Sequence, residues 1–286
     1  MKRRILSVVL IAGLATAARA AELAHATWWW HGPDANSPET YSEKLEFLAS
    51  NGVDEVFFCV DPKTETKALG AFVRALRQRG MRVSWLAGDV SWIYPGKLGF
   101  DETYQRFIAY QRQAPADERF DAFHLDVEPH ADRQLTDTRK WQLYADLVMR
   151  ATATAHRDGE RIEWDIPFWL DNLRVDYGSR TNAPLLDVVM DNSDGVCLMS
   201  YRDTAAAMLD TGKTELAMAA GRRCRVLLGA ETGETGEGDF VSYYEEGKAR
   251  MREQLDLVLQ ALGKSKLPTG GGVAVHHVGS WMKLKP

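Results

Sequence analysis

Asp121-Ala122-Phe123-His124-Leu125-Asp126-Val127-Glu128-Pro129 begins the unit on which the fold turns. Side chains alternate between the two faces of a strand. A strand over Phe123–Glu128 therefore puts Phe123, Leu125 and Val127 on one face and His124, Asp126 and Glu128 on the other. Pro129 closes it, because proline has no N–H to give to a ladder. A helical pattern follows over Asp137–His156, and then a second apolar run, Ile162-Glu163-Trp164-Asp165-Ile166-Pro167-Phe168. Strand, helix and strand in that order imply parallel pairing through a crossover.

The same unit recurs in both directions along the chain. β-rich apolar runs at Ala26–His31, Val53–Val60, Met81–Gly88, Gly195–Tyr201, Arg225–Glu231 and Gly272–His277 bring the strands to eight. Helical stretches at Glu39–Ser50, Thr64–Arg79, Glu102–Arg112, Pro184–Asn192, Thr214–Gly221 and Phe240–Leu262 lie between them. No Pro/Gly/Ser-rich linker interrupts the series, so the sequence predicts one α/β domain over residues 21–286, a single (β/α)8 TIM barrel. A doubly wound open sheet is the competing architecture. It would carry a glycine-rich phosphate loop after its first strand, and Trp28-Trp29-Trp30-His31-Gly32 is not one.

The 286 residues carry a net charge of −5, with 45% hydrophobic and 26% charged residues, which is ordinary globular composition. Without a basic excess the chain is a poor partner for nucleic acid. Residues 1–20 are expected to be a cleaved signal peptide: Lys2, Arg3 and Arg4 precede the apolar run Ile5–Ala18, and Ala18-Arg19-Ala20 has the form of a cleavage site. The mature chain would be periplasmic or secreted, with a charge of −9 and no membrane span. Cys59, Cys197 and Cys224 are an odd number in an oxidising compartment. They read as free thiols in apolar runs, with a Cys197–Cys224 disulfide as the alternative.

In a (β/α)8 barrel the chemistry lies at the C-terminal ends of the strands. His124, Asp126 and Glu128 point inward there, and burying three ionisable groups is costly unless pairing or function offsets it. Glu128, nearest the mouth, is the candidate general acid, with Asp126 one layer below as its partner. Asp165 on the next strand is placed to pair with His124 or Asp126. Nine Trp, nine Tyr and ten Phe are a rich aromatic supply for stacking on sugar rings. Trp30, Trp92, Trp169 and Trp281 fall near expected strand ends or top loops, and Arg202 follows the sixth strand. A carbohydrate is the expected partner, and nothing in the pattern asks for a cofactor.

The stretch Asp121–Glu128 resembles the Asp-Gly-x-Asp-x-Asp-x-Glu signature of the family 18 glycoside hydrolases, the chitinase and endo-β-N-acetylglucosaminidase group. Asp121, Asp126 and Glu128 match; His124 stands at the middle Asp and Ala122 at the Gly. Met199-Ser200-Tyr201 resembles the family's Met-x-Tyr, with Arg202 in place of the following Asp, and His276 lies near the usual strand-eight Trp. The resemblance implies that Glu128 protonates the leaving oxygen. Asp126 would orient the substrate's 2-acetamido group, which acts as the nucleophile, and Tyr201 would help to hold it. A second reading uses Glu231, at the end of the seventh strand, as the nucleophile of a retaining glycosidase with Glu128 as acid. A non-catalytic glycan-binding barrel is a third, kept open by His124. A metal-dependent amidase or deacetylase is a fourth, but adjacent His276 and His277 should face opposite ways, and no His-Glu-x-x-His or Gly-x-Ser-x-Gly occurs.

Overall fold

The structure, a computed structural model, describes residues 23–265 and 267–286. The expected signal segment lies outside the described residues. Eight parallel strands close into a barrel: β1 (Ala24–Trp29), β2 (Glu55–Cys59), β3 (Arg82–Ala87), β4 (Ala122–Leu125), β5 (Ile162–Pro167), β6 (Gly195–Met199), β7 (Arg225–Glu231) and β8 (Gly271–His276). Each pairs with its neighbours in sequence, and β8 closes on β1 through Ala24↔Gly272 to Thr27↔Val275. The expected (β/α)8 architecture is therefore the one observed.

Period-two alternation divides the apolar residues into two cores. Phe123, Leu125 and Val127 face outward with Trp164, Ile166 and Trp85, under helices that include α1 (Gly99–Gln113) and α2 (Asp137–Asp158). A small inner core of Trp28, Phe57, Leu86, Cys197, Leu227 and Ala274 fills the barrel. Burying each large outward side chain contributes about 1.5–3 kcal/mol, so reversing the β4 register would cost several at once.

Three local readings are corrected. The last long helix, α3, spans Lys248–Ser265 rather than starting at Phe240. Residues 232–247 instead fold back on the end of β7, where Ser242 bridges Glu231, with Gly238 and Gly247 at positive φ. An antiparallel hairpin, Arg174–Tyr177 with Arg180–Pro184, precedes the helix at Leu185–Asp191. It is anchored to α2 where Gln142 donates to the Asp176 carbonyl and accepts from its N–H. Finally, the β4 ladder stops at Leu125, so Asp126–Glu128 lie just beyond it.

Candidate active site

That early end to β4 shapes the site. The Asp126 N–H still donates to the Ala87 carbonyl, 3.0 Å away. Its own carbonyl passes so close to Gly88 that a Cβ there would lie 1.6 Å from the oxygen. Only glycine fits at that crossing. The chain then turns at Glu128 into a 3₁₀ turn at Pro129–Ala131. Asp126 stays inside the barrel mouth, and Glu128, with a side chain 40% exposed, stands at its rim.

The two carboxylates line one cavity of about 240 Å³ with Trp28, Trp30, Asp165, Met199, Tyr201 and His276. Strands β1, β4, β5, β6 and β8 thus contribute through their C-terminal ends. Glycine makes room again at Gly229, where a Cβ would sit 2.9 Å from the Tyr201 ring.

Below the cavity lies a buried charge network. Arg225 donates in a fork to both oxygens of Glu55, at 2.6 and 2.7 Å, and to Glu163 at 3.1 Å. His124 stacks on Phe57 and places Nε2 3.0 Å from Asp165 Oδ1 and Nδ1 3.6 Å from Glu163 Oε2. These two contacts are coulombic and not aligned hydrogen bonds. Burial by itself would depress the imidazole, but Asp165 and Glu163 outweigh it and hold His124 at about 10, so it is a cation at neutral pH. Asp165 Oδ2 accepts a hydrogen bond from Trp28 Nε1 at 2.9 Å. Asp126 behaves oppositely: burial first, then the charges of Asp165 and Glu128, push its carboxyl up to about 8 despite the pull of His124. Asp126 therefore keeps its proton to a higher pH than an ordinary carboxyl does.

Glu231 is held differently. Oε1 accepts from the N–H groups of Thr232 and Gly233 at 2.7 and 2.6 Å, and Oε2 lies 2.7 Å from His276 Nδ1. His276 Nε2 is 2.9 Å from Trp30 Nε1. An indole N–H only donates, so Nε2 is the acceptor and the proton sits on Nδ1, directed at Glu231. Burial opposes ionisation of Glu231, but the hydrogen bond from His276 and those from the two amides hold it below the usual carboxylate range. The chain Glu231–His276–Trp30 fixes the indole as one wall of the cavity, and Glu231 is not among the lining residues.

The other sequence candidates divide. Trp169 lies beside the mouth, edge-on to Trp141 and to His130, whose Nε2 is 3.8 Å from Glu128. Arg202 lies over Phe168 and Phe240 at the rim. Trp92 and Trp281 stand apart from the cavity. Trp92 is buried against Phe100, and Trp281 is buried in the helix Val278–Lys283 against Phe47 and His25. Neither offers a free ring face. Asp121 is structural: it accepts from the Val83 N–H and pairs with Arg77. His277 caps the helix Val278–Lys283, leaving His276 alone of the two in the cavity. All three cysteines are free, with Cys197 and Cys224 buried. Trp28, which fixes Asp165, went unnoticed in the sequence. Its alternation with Ala24 and Ala26, small residues on the same inward face, was the available signal.

No protein-family model matches this chain, and no curated protein sequence matches it. Solved structures share its fold. One is the spore cortex-lytic enzyme SleL of Bacillus megaterium QM B1551, 8% identical with a TM-score of 0.57 over 93% of this chain and 74% of that one. Another is the endo-beta-N-acetylglucosaminidase of Cordyceps militaris, 13% identical with a TM-score of 0.52 over 90% and 81%. At these identities the likeness is one of fold, the (β/α)8 barrel that the strand–helix repeat led us to expect.

Proposed function

We propose that this chain is an exported glycoside hydrolase that cleaves a glycan bearing 2-acetamido sugars, with Glu128 as general acid and the substrate's acetamido oxygen as nucleophile. One observation carries the reading: Asp126 and Glu128, two residues apart, line a single-sugar-sized cavity, while Glu231 has both oxygens engaged by His276 and two backbone amides. A carboxylate used in that way supports its neighbours and is poorly placed to attack an anomeric carbon. The shared fold with an endo-beta-N-acetylglucosaminidase agrees with a 2-acetamido substrate.

In the first step the Glu128 carboxyl gives its proton to the glycosidic oxygen. The acetamido carbonyl oxygen then bonds to the anomeric carbon as the bond to the leaving group breaks. Asp126 and Tyr201 line the place where the acetamido group must lie, and Asp126 holds it in position. Water, deprotonated by Glu128, opens the cyclic intermediate and returns the proton.

The test is Glu128→Gln, assayed on an aryl β-glycoside of N-acetylglucosamine and on bacterial and environmental polysaccharides. Loss of a general acid lowers the rate by about 10²–10⁴. The exposed position of the side chain leaves the thermal midpoint near that of the parent. Parent-like turnover in the variant removes Glu128 from the role.

A further inference from the structure

A groove on the flank of the barrel holds two opposite charges that the chain leaves unmatched. It lies between the helix Thr66–Arg77 and α1, outside β3, and has a volume of about 280 Å³. Its walls include Asp61, Thr64, Leu69, Trp85, Arg106 and Ala109. It shares no lining residue with the cavity that holds Asp126 and Glu128.

Two wall residues carry a shielded polar atom with no hydrogen-bond partner among the described residues. These are Trp85 Nε1, on a side chain only 3% exposed, and Thr64 Oγ1. An indole N–H can only donate, and a shielded donor without an acceptor is costly. The exposed Arg106 lies over the Trp85 ring, its guanidinium carbon 5.9 Å from the centroid. Other arginines on the two helices of the groove are paired, Arg74 with Asp117 and Arg112 with Asp158. Arg106 has no carboxylate within ion-pair range among the described residues.

Asp61 is the opposite case. Its Oδ1 accepts from the Lys63 N–H at 2.8 Å, and the Thr64 N–H donates to its carbonyl at 3.0 Å, so a tight turn fixes both Asp61 and Thr64. No cation lies within ion-pair range of the Asp61 carboxylate among the described residues. A ligand with a single charge matches one of these groups and meets a like charge in the other. A ligand carrying both charges matches both, and hydrogen bonds to charged partners are the strong ones. The volume falls just under the roughly 300–1,000 Å³ of drug-sized sites, which suits a smaller molecule.

We propose that this groove binds an aliphatic α-amino acid. Arg106 takes the carboxylate, with the Thr64 hydroxyl and the Trp85 N–H as further donors. Asp61 takes the ammonium, and the aliphatic side chain packs on Leu69 and Ala109. The site is independent of the glycosidase reading.

Isothermal titration calorimetry of the full chain with L-leucine, 4-methylpentanoate and 3-methylbutylamine tests this, since the last two lack the ammonium and the carboxylate in turn. L-leucine should bind at least about tenfold more tightly than either. Arg106→Gln and Asp61→Asn should each weaken L-leucine by about 10–100-fold, the worth of a hydrogen bond between charged partners. Arg106 is exposed and Asp61 half-buried, so both variants should keep the thermal midpoint of the parent. Trp85→Phe keeps an aromatic ring and removes only the donor, and should weaken L-leucine by about tenfold. No binding of L-leucine, equal affinity for either single-charge analogue, or an affinity unmoved by both charge variants overturns the site.

Discussion

Replacing Glu231 by Gln separates a supporting carboxylate from a nucleophile. The change keeps the size of the side chain and one carbonyl oxygen, which can still accept from Thr232 and Gly233. It puts an NH₂ group against His276 Nδ1, where the native carboxylate accepts a hydrogen bond from the Nδ1–H. His276 must then turn its proton to Nε2, which clashes with the indole N–H of Trp30 that Nε2 now accepts. The loss is thus one charge-assisted hydrogen bond and the restraint on Trp30. A hydrogen bond to a charged group is worth about 1.5–3 kcal/mol, and each tenfold in rate corresponds to about 1.4 kcal/mol. A positioning role therefore limits the fall in kcat/KM to about 10–100-fold. Part of it appears in KM, because a cavity wall has moved. Initial rates on the aryl N-acetylglucosamine glycoside, with and without sodium azide, measure this. A fall well beyond 100-fold that azide restores, together with turnover of a substrate lacking a 2-acetamido group, refutes the reasoning and makes Glu231 the nucleophile.

His124→Asn removes the cation between Glu163 and Asp165 and leaves both buried carboxylates less compensated; breaking such a pair costs about 3–5 kcal/mol, to be read by urea denaturation at neutral pH. Full parent stability in that variant means the network is not held by His124. Asp126 has a folded-state pKa pushed up to about 8 from an ordinary 3.8, so the folded protein binds this proton more tightly than the unfolded chain. That contribution to stability is complete below about pH 4 and is lost as pH rises through about 8. Asp126→Asn mimics the neutral acid, so its stability relative to the parent should improve between about pH 5 and pH 9, and an unchanged difference across that range counts against a neutral Asp126. Export with cleavage after Ala20 predicts an N-terminus of Ala21-Glu22-Leu23 on the chain recovered from the periplasm or medium, and a retained Met1 there contradicts it.

Much of the barrel is legible because its signal is local. Phe123, Leu125 and Val127 alternate with His124, Asp126 and Glu128, and that alternation alone assigns the two faces of β4. The inward course of Asp165 follows in the same way from its alternation with Trp164 and Ile166. The loop at residues 232–247 misleads because Leu255, Val258 and Leu262 give a true helical stripe that propensity extends too far upstream. What stops the helix there is the bridge between Ser242 and Glu231, a contact that depends on where β7 ends. Trp92 and Trp281 mislead for a related reason. Proximity to a strand end says that a side chain is near the mouth in sequence, but which way its ring turns is decided by Phe100 for one and by Phe47 and His25 for the other.

The sequence by itself determined the eightfold strand–helix repeat, the inward row of His124, Asp126 and Glu128, and the acid candidate at the rim. Each depends on residues close together in the chain, where periodicity is enough. Only the tertiary structure decided what those groups do to one another. Asp165 is set by Trp28, 137 positions away, and Glu231 is engaged by His276, 45 positions away. The His124 imidazole is raised by the carboxylates of Asp165 and Glu163 on the next strand, and the Asp126 carboxyl is raised by burial and then by Asp165 and Glu128. Protonation in a barrel interior depends on distance and desolvation, and these exist only once the strands have closed into a ring.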